Sequence, residues 1–571
     1  MENKKLTGYP SIDKPWLKYY TDEAINAPLP DGTIYEYLWQ NNKDHLDDIA
    51  LNYYDRTMTY RELFFEIDRA ANAYAACGVE TGDIVTFAVL ACPETVISLY
   101  ALNKIGAIPN MVNVLSSADE FAHYINEAKS RLFVCWDVFY QTATEKLSET
   151  TAEIVIVVEP KNYLPPMKKL LYSLKKKSVV KYSDEVINWN VFMADGQSTQ
   201  AKQVPFVANT ACVMAHTGGT TGEPKGVLLS NEAINAIVVQ EKYACDYDRQ
   251  ETYMDLVVPF VIYGIATNIH MPLVLGFKLV MIPFFKPEEV PKFIMHYKPN
   301  LSFSIPAYWA SLLTNKKAQK ADFSYLRLAG AGGDGLSVEL EQSLNSFLNS
   351  HGSAAKILNG YGMTEVAAAA ADSVRAIKSG TVGIPYVKNV FKAVKPDSTE
   401  ELPYNEVGEI CIHSPSLMLG YYNNEQATNE LVKVHADGKK WVHTGDLGYI
   451  DEDGFITITG RIRRIILTSY TEIPSKIFPD RIEKVLMQHS AVFQCCVVSE
   501  PHPQYKAVTR AHIVLKPEYK GQEDILEKEI NDLCHKNLPD YSCPFSYCFR
   551  QSLPLTAVGK VDWRKLEEES K

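Results

Sequence analysis

The chain contains a ten-residue glycine-rich run, Thr217–Gly218–Gly219–Thr220–Thr221–Gly222–Glu223–Pro224–Lys225–Gly226. Apolar residues precede this run at 211–214 and follow it at 227–229, which predicts a loop between two strands. Glycines let a ligand approach the backbone closely, and backbone N–H groups, threonine hydroxyls and a lysine ammonium all bind phosphate oxygens. The run therefore predicts a nucleotide-phosphate site, and a mobile glycine loop is the alternative interpretation of the run taken alone.

Two common nucleotide motifs do not fit this chain. Glu223 and Pro224 separate Lys225 from the preceding glycine, and no serine or threonine follows the lysine, so a P-loop NTPase is disfavoured. The run 330–335 has the glycine spacing of a dinucleotide-binding turn, but no acidic residue follows at the distance needed to hold a ribose. A Rossmann NAD site is therefore disfavoured as well.

Bulk composition favours an enzyme of several domains that does not bind nucleic acid. A chain of 571 residues is too long for one hydrophobic core, and a net charge of −12 disfavours a general nucleic-acid binder. The first residues lack the apolar core of a signal peptide, and the eleven cysteines include no C-x-x-C pair. We therefore expect a cytoplasmic protein with free thiols.

The order of helix and strand patterns predicts an α/β fold. An amphipathic helix over 60–74, an apolar strand over 84–90 and a helix over 94–104 indicate a mostly parallel sheet covered by helices. The uncharged stretch 256–277 is long enough to cross a bilayer, but its prolines, glycines and polar residues favour a buried core segment.

The predicted secondary structure changes after about residue 386 from alternating helices and strands to short strands and turns. Short strands and acidic turns over about 387–460 indicate a β-rich subdomain. The last hundred or so residues have helices and strands of their own, which is enough for a small α+β domain.

Four further turns carry side chains suited to a nucleotide: Asn359–Gly360–Tyr361–Gly362–Met363–Thr364–Glu365, His443–Thr444–Gly445–Asp446–Leu447–Gly448, Gly460–Arg461–Ile462–Arg463–Arg464 and Pro554–Leu555–Thr556–Ala557–Val558–Gly559–Lys560. A tyrosine can stack on a base, a threonine can bind a phosphate and a glutamate can hold Mg²⁺. Asp446 suits ribose hydroxyls, and the arginines place positive charge at the expected domain boundary.

In this order, these stretches resemble the adenylate-forming superfamily of acyl-CoA ligases, luciferases and peptide-synthetase adenylation domains. The resemblance covers nearly the whole chain, starting near Thr59–Tyr60–Arg61–Glu62–Leu63 and including the segment 100–107. It implies a large N-terminal domain over 1–462, including the β-rich subdomain, joined by a hinge to a small mobile C-terminal domain over 463–571.

The resemblance also implies a role for each motif residue. The β- and γ-phosphates would contact the glycine-rich loop through Thr217, Gly218, Gly219, Thr220, Thr221, Gly222 and Lys225. The adenine pocket would be lined by Gly332, Gly333 and Asp334, with Tyr361 against the base, and Asn359, Gly360 and Gly362 of the same motif would also contact the nucleotide. Asp446 and Arg461 would bind the ribose. The catalytic group would consist of Thr364 at the α-phosphate, Glu365 as the Mg²⁺ ligand, and Lys560 between the α-phosphate and the substrate carboxylate.

The implied reaction uses ATP, Mg²⁺ and coenzyme A. The carboxylate of a small-molecule acid attacks the α-phosphate, pyrophosphate leaves, and the acyl-adenylate then passes its acyl group to the CoA thiol after the C-terminal domain rotates. Lys560 and Mg²⁺ offset the repulsion between the two anions, and no protein nucleophile is required. An enzyme that loads a carrier protein and a non-catalytic nucleotide-binding protein remain alternatives.

Three stretches depart from the family pattern. Arg464 stands at the hinge, where the family usually has Asp or Lys. The segment 467–474 lacks the expected glycine, although CoA passes beside it in the ligases. The predicted acid pocket contains Val261, Tyr263 and Gly264, and Val261 replaces the histidine of many members, which favours an aliphatic acid.

The acid and the partners are predicted from two local features. The paired glycine in Thr217–Gly218–Gly219–Thr220 is similar to that of bacterial long-chain fatty-acid–CoA ligases, which points to a fatty acid or another large hydrophobic acid such as a bile acid. The basic amphipathic stretch 163–180 predicts peripheral contact with an anionic membrane, with a solvated surface helix as the equal alternative. A homodimer is left open as the assembly.

Overall fold

The computed structural model describes residues 6–175, 180–217, 224–464, 466–468, 475–556 and 560–570. Within these residues, two large sheets, a third antiparallel sheet and a small C-terminal unit are present. This is the predicted α/β architecture, with helix-covered sheets, a β-rich part and an α+β C-terminal part.

The two large sheets are parallel through most of their described strands. The first has, in spatial order, strands Ile384–Pro385, Ala368–Asp372, Ile357–Met363, Leu328–Ala331, Leu301–Ser304, Thr252–Asp255, Lys278–Met281, Ile49–Tyr53 and Arg56–Thr59. The second has strands Gly420–Tyr421, Gly226–Ser230, Ala211–His216, Ile108–Met111, Ile84–Ala88, Leu132–Trp136, Ile154–Val158 and Val186–Asn188.

Helices cover both sheets and account for the burial of their central strands. All residues of Leu132–Trp136 are buried, as are those of Leu301–Ser304, which is expected for parallel strands with both faces covered. The longer helices are Ile34–Asn42, Tyr60–Ala76, Pro93–Ile105, Ala118–Glu127, Pro166–Lys175, Asn231–Lys242, Val290–Tyr297, Pro306–Thr314 and Val338–Ser350.

Helix ends follow the capping rules that the sequence carries. Thr59 accepts the backbone N–H of Glu62, and the Glu62 side chain accepts the N–H of Thr59, which closes a capping box at the start of Tyr60–Ala76. The predicted helix over 60–74 is therefore confirmed, and it extends two residues further.

The third sheet lies between the large sheets and the C-terminal unit in sequence. Strands Val390–Val394, Gly408–His413, Lys440–Ile450, Val432–Val434 and Ile456–Arg461 form it, all in antiparallel pairs. Asp446 lies directly opposite Arg461 on the neighbouring strand, and Cys411 lies directly opposite His443.

The C-terminal unit has a core of its own. Strands Val492–His502, Lys506–Leu515 and Ser546–Arg550 pack against helices Pro479–Leu486 and Glu523–Asn537, and Trp563–Glu568 covers the opposite side. Strands Ile466–Thr468 and Ser475–Ile477 pair beside them.

The uncharged stretch 256–277 is buried inside the first domain, as predicted. It turns into three consecutive short helical segments, Ile262–Ile265, Ala266–His270 and Met271–Val274, in the core next to the first sheet. Across the described part of the chain, every helix is too short or too polar to span a bilayer.

Candidate active site

The two ends of the glycine-rich run, at Thr217 and Lys225, are hydrogen-bonded to each other beside the second sheet. The backbone N–H of Thr217 donates to the carbonyl of Lys225 at 3.1 Å, and the N–H of Lys225 donates to Thr217 Oγ1 at 3.2 Å. Strands Ala211–His216 and Gly226–Ser230 pair next to these two hydrogen bonds, so the two predicted flanking strands are confirmed. Gly218, Gly219, Thr220, Thr221 and Gly222 lie outside the described residues.

Tyr421, which lies outside the predicted motifs, contacts both Lys225 and Glu365, the predicted Mg²⁺ ligand. Lys225 Nζ lies 5.0 Å from the centre of the Tyr421 ring, and the Tyr421 hydroxyl donates to Glu365 Oε1 at 2.6 Å. Burial raises the pKa of Glu365, while the Tyr421 hydrogen bond and the charge of Lys225 oppose that rise. The lysine of the loop and the buried carboxylate therefore belong to one site.

The predicted adenine residues lie at the carboxyl ends of two neighbouring parallel strands. Gly332, Gly333 and Asp334 follow strand Leu328–Ala331, and Tyr361 lies on the adjacent strand Ile357–Met363. Ligands of open α/β sheets bind at this edge.

Glycine is required at Gly362 by close packing. A Cβ there would lie 1.5 Å from the carbonyl oxygen of Ala368 on the antiparallel neighbour. Asn359 and Gly360 precede it on the same strand, and the Asn359 side chain donates to the carbonyl of Thr381 at 3.0 Å. Asn359 therefore holds the neighbouring loop. Thr364 is half-buried and begins the short turn that carries Glu365.

Asp446, on the third sheet, binds Tyr361 of the first large sheet and Arg461 of the neighbouring strand. Its Oδ2 accepts the Tyr361 hydroxyl at 2.6 Å, and its Oδ1 accepts Arg461 Nε at 2.7 Å. Asp446 is 5% exposed, whereas half of the Arg461 side chain faces solvent. The carboxylate is fixed from two sides, and the arginine keeps donors available for a ligand.

Lys560 comes from the C-terminal unit and faces this same group. The turn that carries it is closed by the Thr556 N–H, which donates to the Lys560 carbonyl at 2.6 Å. Desolvation and then the charge of Arg461 lower the pKa of Lys560, against the charges of Asp334 and Asp446. Lys560 is thus within electrostatic range of Asp334, Asp446 and Arg461.

The predicted acid pocket adjoins the adenine loop. A methyl group on Gly332 would lie 3.5 Å from the Tyr263 hydroxyl, and a Cβ on Gly264 would lie 2.3 Å from the carbonyl oxygen of Val258. Val261 is half-buried and donates its N–H to the same carbonyl at 3.2 Å. This turn is therefore packed too tightly for larger residues at 264.

Buried carboxyl groups lie behind Tyr263. Burial raises the pKa of Glu241 to about 8 and that of Asp372 to about 6. Glu241 accepts a hydrogen bond from Thr267 at 2.8 Å. Glu241 is therefore mostly neutral at pH 7.

Arg464 is held entirely by the C-terminal unit. Its guanidinium donates to Asp480 Oδ1 at 2.7 Å, to Glu483 Oε1 at 2.6 Å and to the Val497 carbonyl at 3.0 Å. Asp480 Oδ2 also accepts the backbone N–H of Arg461 at 3.1 Å. Arg464 is therefore anchored to the helix Pro479–Leu486, and its role as the hinge stays a prediction.

Comparison with known proteins gives two family matches. The AMP-binding enzyme family matches residues 38–422, and the AMP-binding enzyme C-terminal domain matches residues 481–560. The chain belongs to the AMP-binding enzyme family. The resemblance that its motifs predict is thereby confirmed.

Relatives span the chain almost from end to end. A long-chain-fatty-acid–CoA ligase of Bacillus subtilis (strain 168) is 30% identical over 571 residues, covering 97% of this chain and 98% of the relative. A probable 4-coumarate–CoA ligase of Dictyostelium discoideum is 27% identical, covering 96% and 97% of the two chains.

Solved structures of AMP-binding enzymes share the fold. An anthranilate–CoA ligase in complex with anthranoyl-AMP superimposes with a TM-score of 0.80 at 23% identity, covering 96% of this chain and 99% of that one. A benzoate–CoA ligase from Burkholderia xenovorans LB400 gives a TM-score of 0.78 at 20% identity, with coverages of 94% and 99%.

Sequence reasoning missed two residues that contact the motif residues directly. Tyr421 binds Glu365 from 56 positions away, and Asp480 binds both Arg461 and Arg464. Tyr421 follows a single glycine in the short strand Gly420–Tyr421, and Asp480 lies in the first turn of a helix, so neither stands in one of the glycine-rich motifs.

Proposed function

We propose that this chain is an AMP-forming acid–CoA ligase that activates a hydrophobic carboxylic acid. The observation that carries the proposal is the hydrogen-bonded group of Tyr361, Asp446 and Arg461, with Lys560 of the C-terminal unit close enough for Arg461 and Asp446 to shift its pKa. A lysine so placed can bridge the carboxylate of an acid and the α-phosphate of ATP. The named activities of the full-length relatives support the same reaction class.

Each residue has a physical task in the proposed adenylation. Asp446 accepts ribose hydroxyls while Tyr361 fixes its carboxylate, and Arg461 donates to the ribose or the phosphates. Lys560 offsets the negative charge that develops as the acid oxygen attacks the α-phosphate. Thr364 donates to an α-phosphate oxygen, and Lys225 supplies charge to the leaving pyrophosphate.

Mg²⁺ fits the donor set at Glu365. The carboxylate is a hard oxygen ligand of the kind that Mg²⁺ prefers, and the Tyr421 hydroxyl occupies only one of its oxygens. When bound, the ion neutralises phosphate charge. Because burial raises the pKa of Glu365, the ion also stabilises its ionised form.

The proposed acid is apolar over most of its length. Val261 offers no charge at the pocket turn, and Glu241 behind Tyr263 is mostly neutral at pH 7. A fatty acid fits these surroundings better than an acid with a second charge.

The deciding experiment measures acid-dependent pyrophosphate release over fatty acids of different lengths, bile acids and aryl acids. Thioester formation is then measured with CoA and with a phosphopantetheinyl carrier protein as alternative acceptors. Pyrophosphate release followed by acyl-CoA supports the proposal. Adenylation with thioester only on the carrier protein would replace it with a carrier-loading enzyme, and no release with any acid would overturn it.

Peripheral membrane contact is proposed for the helix Pro166–Lys175. Met167, Leu170 and Leu171 expose 75%, 61% and 52% of their surface, which is an unusual concentration of apolar side chains on one short helix. Lys168 is paired with Asp55 at 2.5 Å, so part of the basic charge is already balanced. Residues 176–179 of the predicted basic stretch lie outside the described residues.

Vesicle co-sedimentation tests this contact. We expect the chain to bind phosphatidylglycerol vesicles and the variant Met167→Gln/Leu170→Gln/Leu171→Gln to bind at least tenfold more weakly. Replacing exposed Val191 by Gln on a separate helix serves as the control. Equal binding by both variants would contradict the contact. Light scattering of the same purified chain determines whether it is a monomer or a homodimer.

A further inference from the structure

Two histidines and a cysteine form a buried cluster in the antiparallel sheet. Cys411 and His443 face each other across strands Gly408–His413 and Lys440–Ile450, and His435 lies in the turn that precedes the second strand. The three residues are 0%, 5% and 5% exposed. Their Sγ and imidazole nitrogen atoms all lie within 4.8 Å of one another. None of the three has a role in the proposed ligase reaction.

The histidine nitrogens point toward a common centre. His443 Nε2 lies 2.9 Å from His435 Nε2, and His443 Nδ1 lies 2.8 Å from Glu409 Oε2. The carboxylate therefore takes the Nδ1 proton of His443 as a hydrogen bond and leaves the Nε2 lone pair facing the cluster. Carboxylates hold metal-binding histidines in this way from outside the coordination sphere.

Glu409 is placed as an outer partner. Its second oxygen, Oε1, accepts the backbone N–H of Gly445 at 3.0 Å. Both oxygens are thus occupied by protein donors, so Glu409 orients His443 without competing for the centre of the cluster.

The second ring nitrogen of His435 takes no part in the contact with His443, which is made through Nε2. Among the described residues its Nδ1 has no hydrogen-bond partner, and the ring stacks on Trp441 with centroids 5.6 Å apart. The proton of His435 is therefore free to sit on Nδ1 when Nε2 binds a ligand.

We infer that Cys411, His435 and His443 bind a zinc-class divalent ion. One thiolate and two imidazoles are a donor set typical of Zn²⁺, and the three side chains leave a fourth tetrahedral position for water. Binding forms one metal–sulfur and two metal–nitrogen bonds, releases the thiol proton to solvent, and shifts the His435 proton from Nε2 to Nδ1. Lys392 lies directly opposite Cys411 on the neighbouring strand Val390–Val394.

The ion would connect three chain segments near the nucleotide edge. Strand Lys440–Ile450 carries both His443 and Asp446, so the site would fix the strand that positions the predicted ribose ligand. This role is independent of which acid the enzyme activates.

Cobalt substitution tests the site in the full-length chain. The reduced protein is stripped with EDTA and titrated with Co²⁺ under anaerobic conditions. We expect one equivalent to bind with tetrahedral visible absorption and a thiolate-to-cobalt charge-transfer band, and Zn²⁺ to displace it. Cys411→Ser should lose the charge-transfer band, and Glu409→Gln should weaken binding about 10- to 100-fold.

Control variants separate the site from other thiols and from misfolding. Cys135→Ser, at a buried thiol in the second sheet, should keep the wild-type spectrum. His435→Asn lies in a turn and provides a second test if Cys411→Ser does not fold, as judged by circular dichroism. No Co²⁺ uptake by the wild-type chain, or wild-type spectra in both Cys411→Ser and His435→Asn, would overturn the inference and leave a hydrogen-bonded core cluster.

Discussion

Arg461 and Arg464 are three positions apart, and both pair with carboxylates. They differ in how far the arginine side chain is exposed to solvent. Arg461 shares Asp446 with Tyr361 and keeps half of its side chain in solvent. Arg464 is 13% exposed, and its guanidinium donates to Asp480, Glu483 and the Val497 carbonyl. A charge left accessible can serve a ligand, whereas a charge enclosed by protein partners serves the fold. We therefore expect changes around Arg461 to affect catalysis and changes at Arg464 to affect stability.

The largest expected effect is on stability, at Arg464. Arg464→Ala leaves Asp480 and Glu483 without their shared partner; breaking a fully buried pair costs about 3 to 5 kcal/mol, and this partly buried group should lose up to about 3 kcal/mol. Denaturant unfolding of the C-terminal unit measures the loss. Arg481→Ala, at an exposed position on the same helix, is the matched control. An unchanged free energy of unfolding in Arg464→Ala would contradict the view that Arg464 serves stability and Arg461 serves catalysis.

Lys560 should show the largest catalytic effect. Lys560→Ala removes the charge that we propose for the α-phosphate, and we expect adenylation to fall about 10²- to 10³-fold, as when one transition-state donor is removed. Thioester formation from pre-formed acyl-AMP should persist, and thermal stability should be unchanged. Lys565→Ala, at an exposed position of the following helix Trp563–Glu568, is the control. Equal loss of both half-reactions would contradict the assigned role.

A smaller effect is expected at Asp446. Asp446→Asn keeps the shape but removes the charge that Arg461 and Tyr361 share, so kcat/KM for ATP should fall about 10- to 100-fold. The measurement is the ATP dependence of pyrophosphate release, with exposed Asp453→Asn as the control. A variant with normal ATP dependence would place the ribose elsewhere.

The smallest effect is a pH dependence set by Lys560. Its pKa is lowered from 10.5, and the protonated form is the active one, so adenylation should decline as pH rises through a value below 10.5. Lys560→Arg should move this alkaline limb upward because arginine stays protonated. The thioester half-reaction should lack the limb, and a limb shared by both half-reactions would argue against Lys560 as its source.

Local patterns explain why much of the fold was predictable. The helix Tyr60–Ala76 begins at a capping box, and the strands 84–88 and 132–136 are apolar runs typical of parallel sheets. The family was predictable because several glycine-flanked turns occur in a fixed order. These signals all lie within a few neighbouring residues.

Contacts between distant residues were not predictable in the same way. Tyr361 and Asp446 are 85 positions apart, and each belongs to a motif, so their pairing could be anticipated only through the resemblance. Tyr421, Asp480 and Glu409 have no motif around them, and their roles depend on which strands and helices the fold places side by side. The domain boundary at 462 and the hinge role of Arg464 stay predictions.

Asp480 would give the domain rotation that the resemblance implies a thermodynamic cost. One oxygen of this carboxylate accepts the backbone N–H of Arg461, and the other accepts the side chain of Arg464. A rotation of the C-terminal unit that separated Asp480 from Arg461 would break the first bond while keeping the second. By linkage, a ligand that held Arg461 in place and a rotation that released it would change each other's equilibrium by the same factor. A single carboxylate would thus couple ligand binding at Arg461 to the orientation of the C-terminal unit.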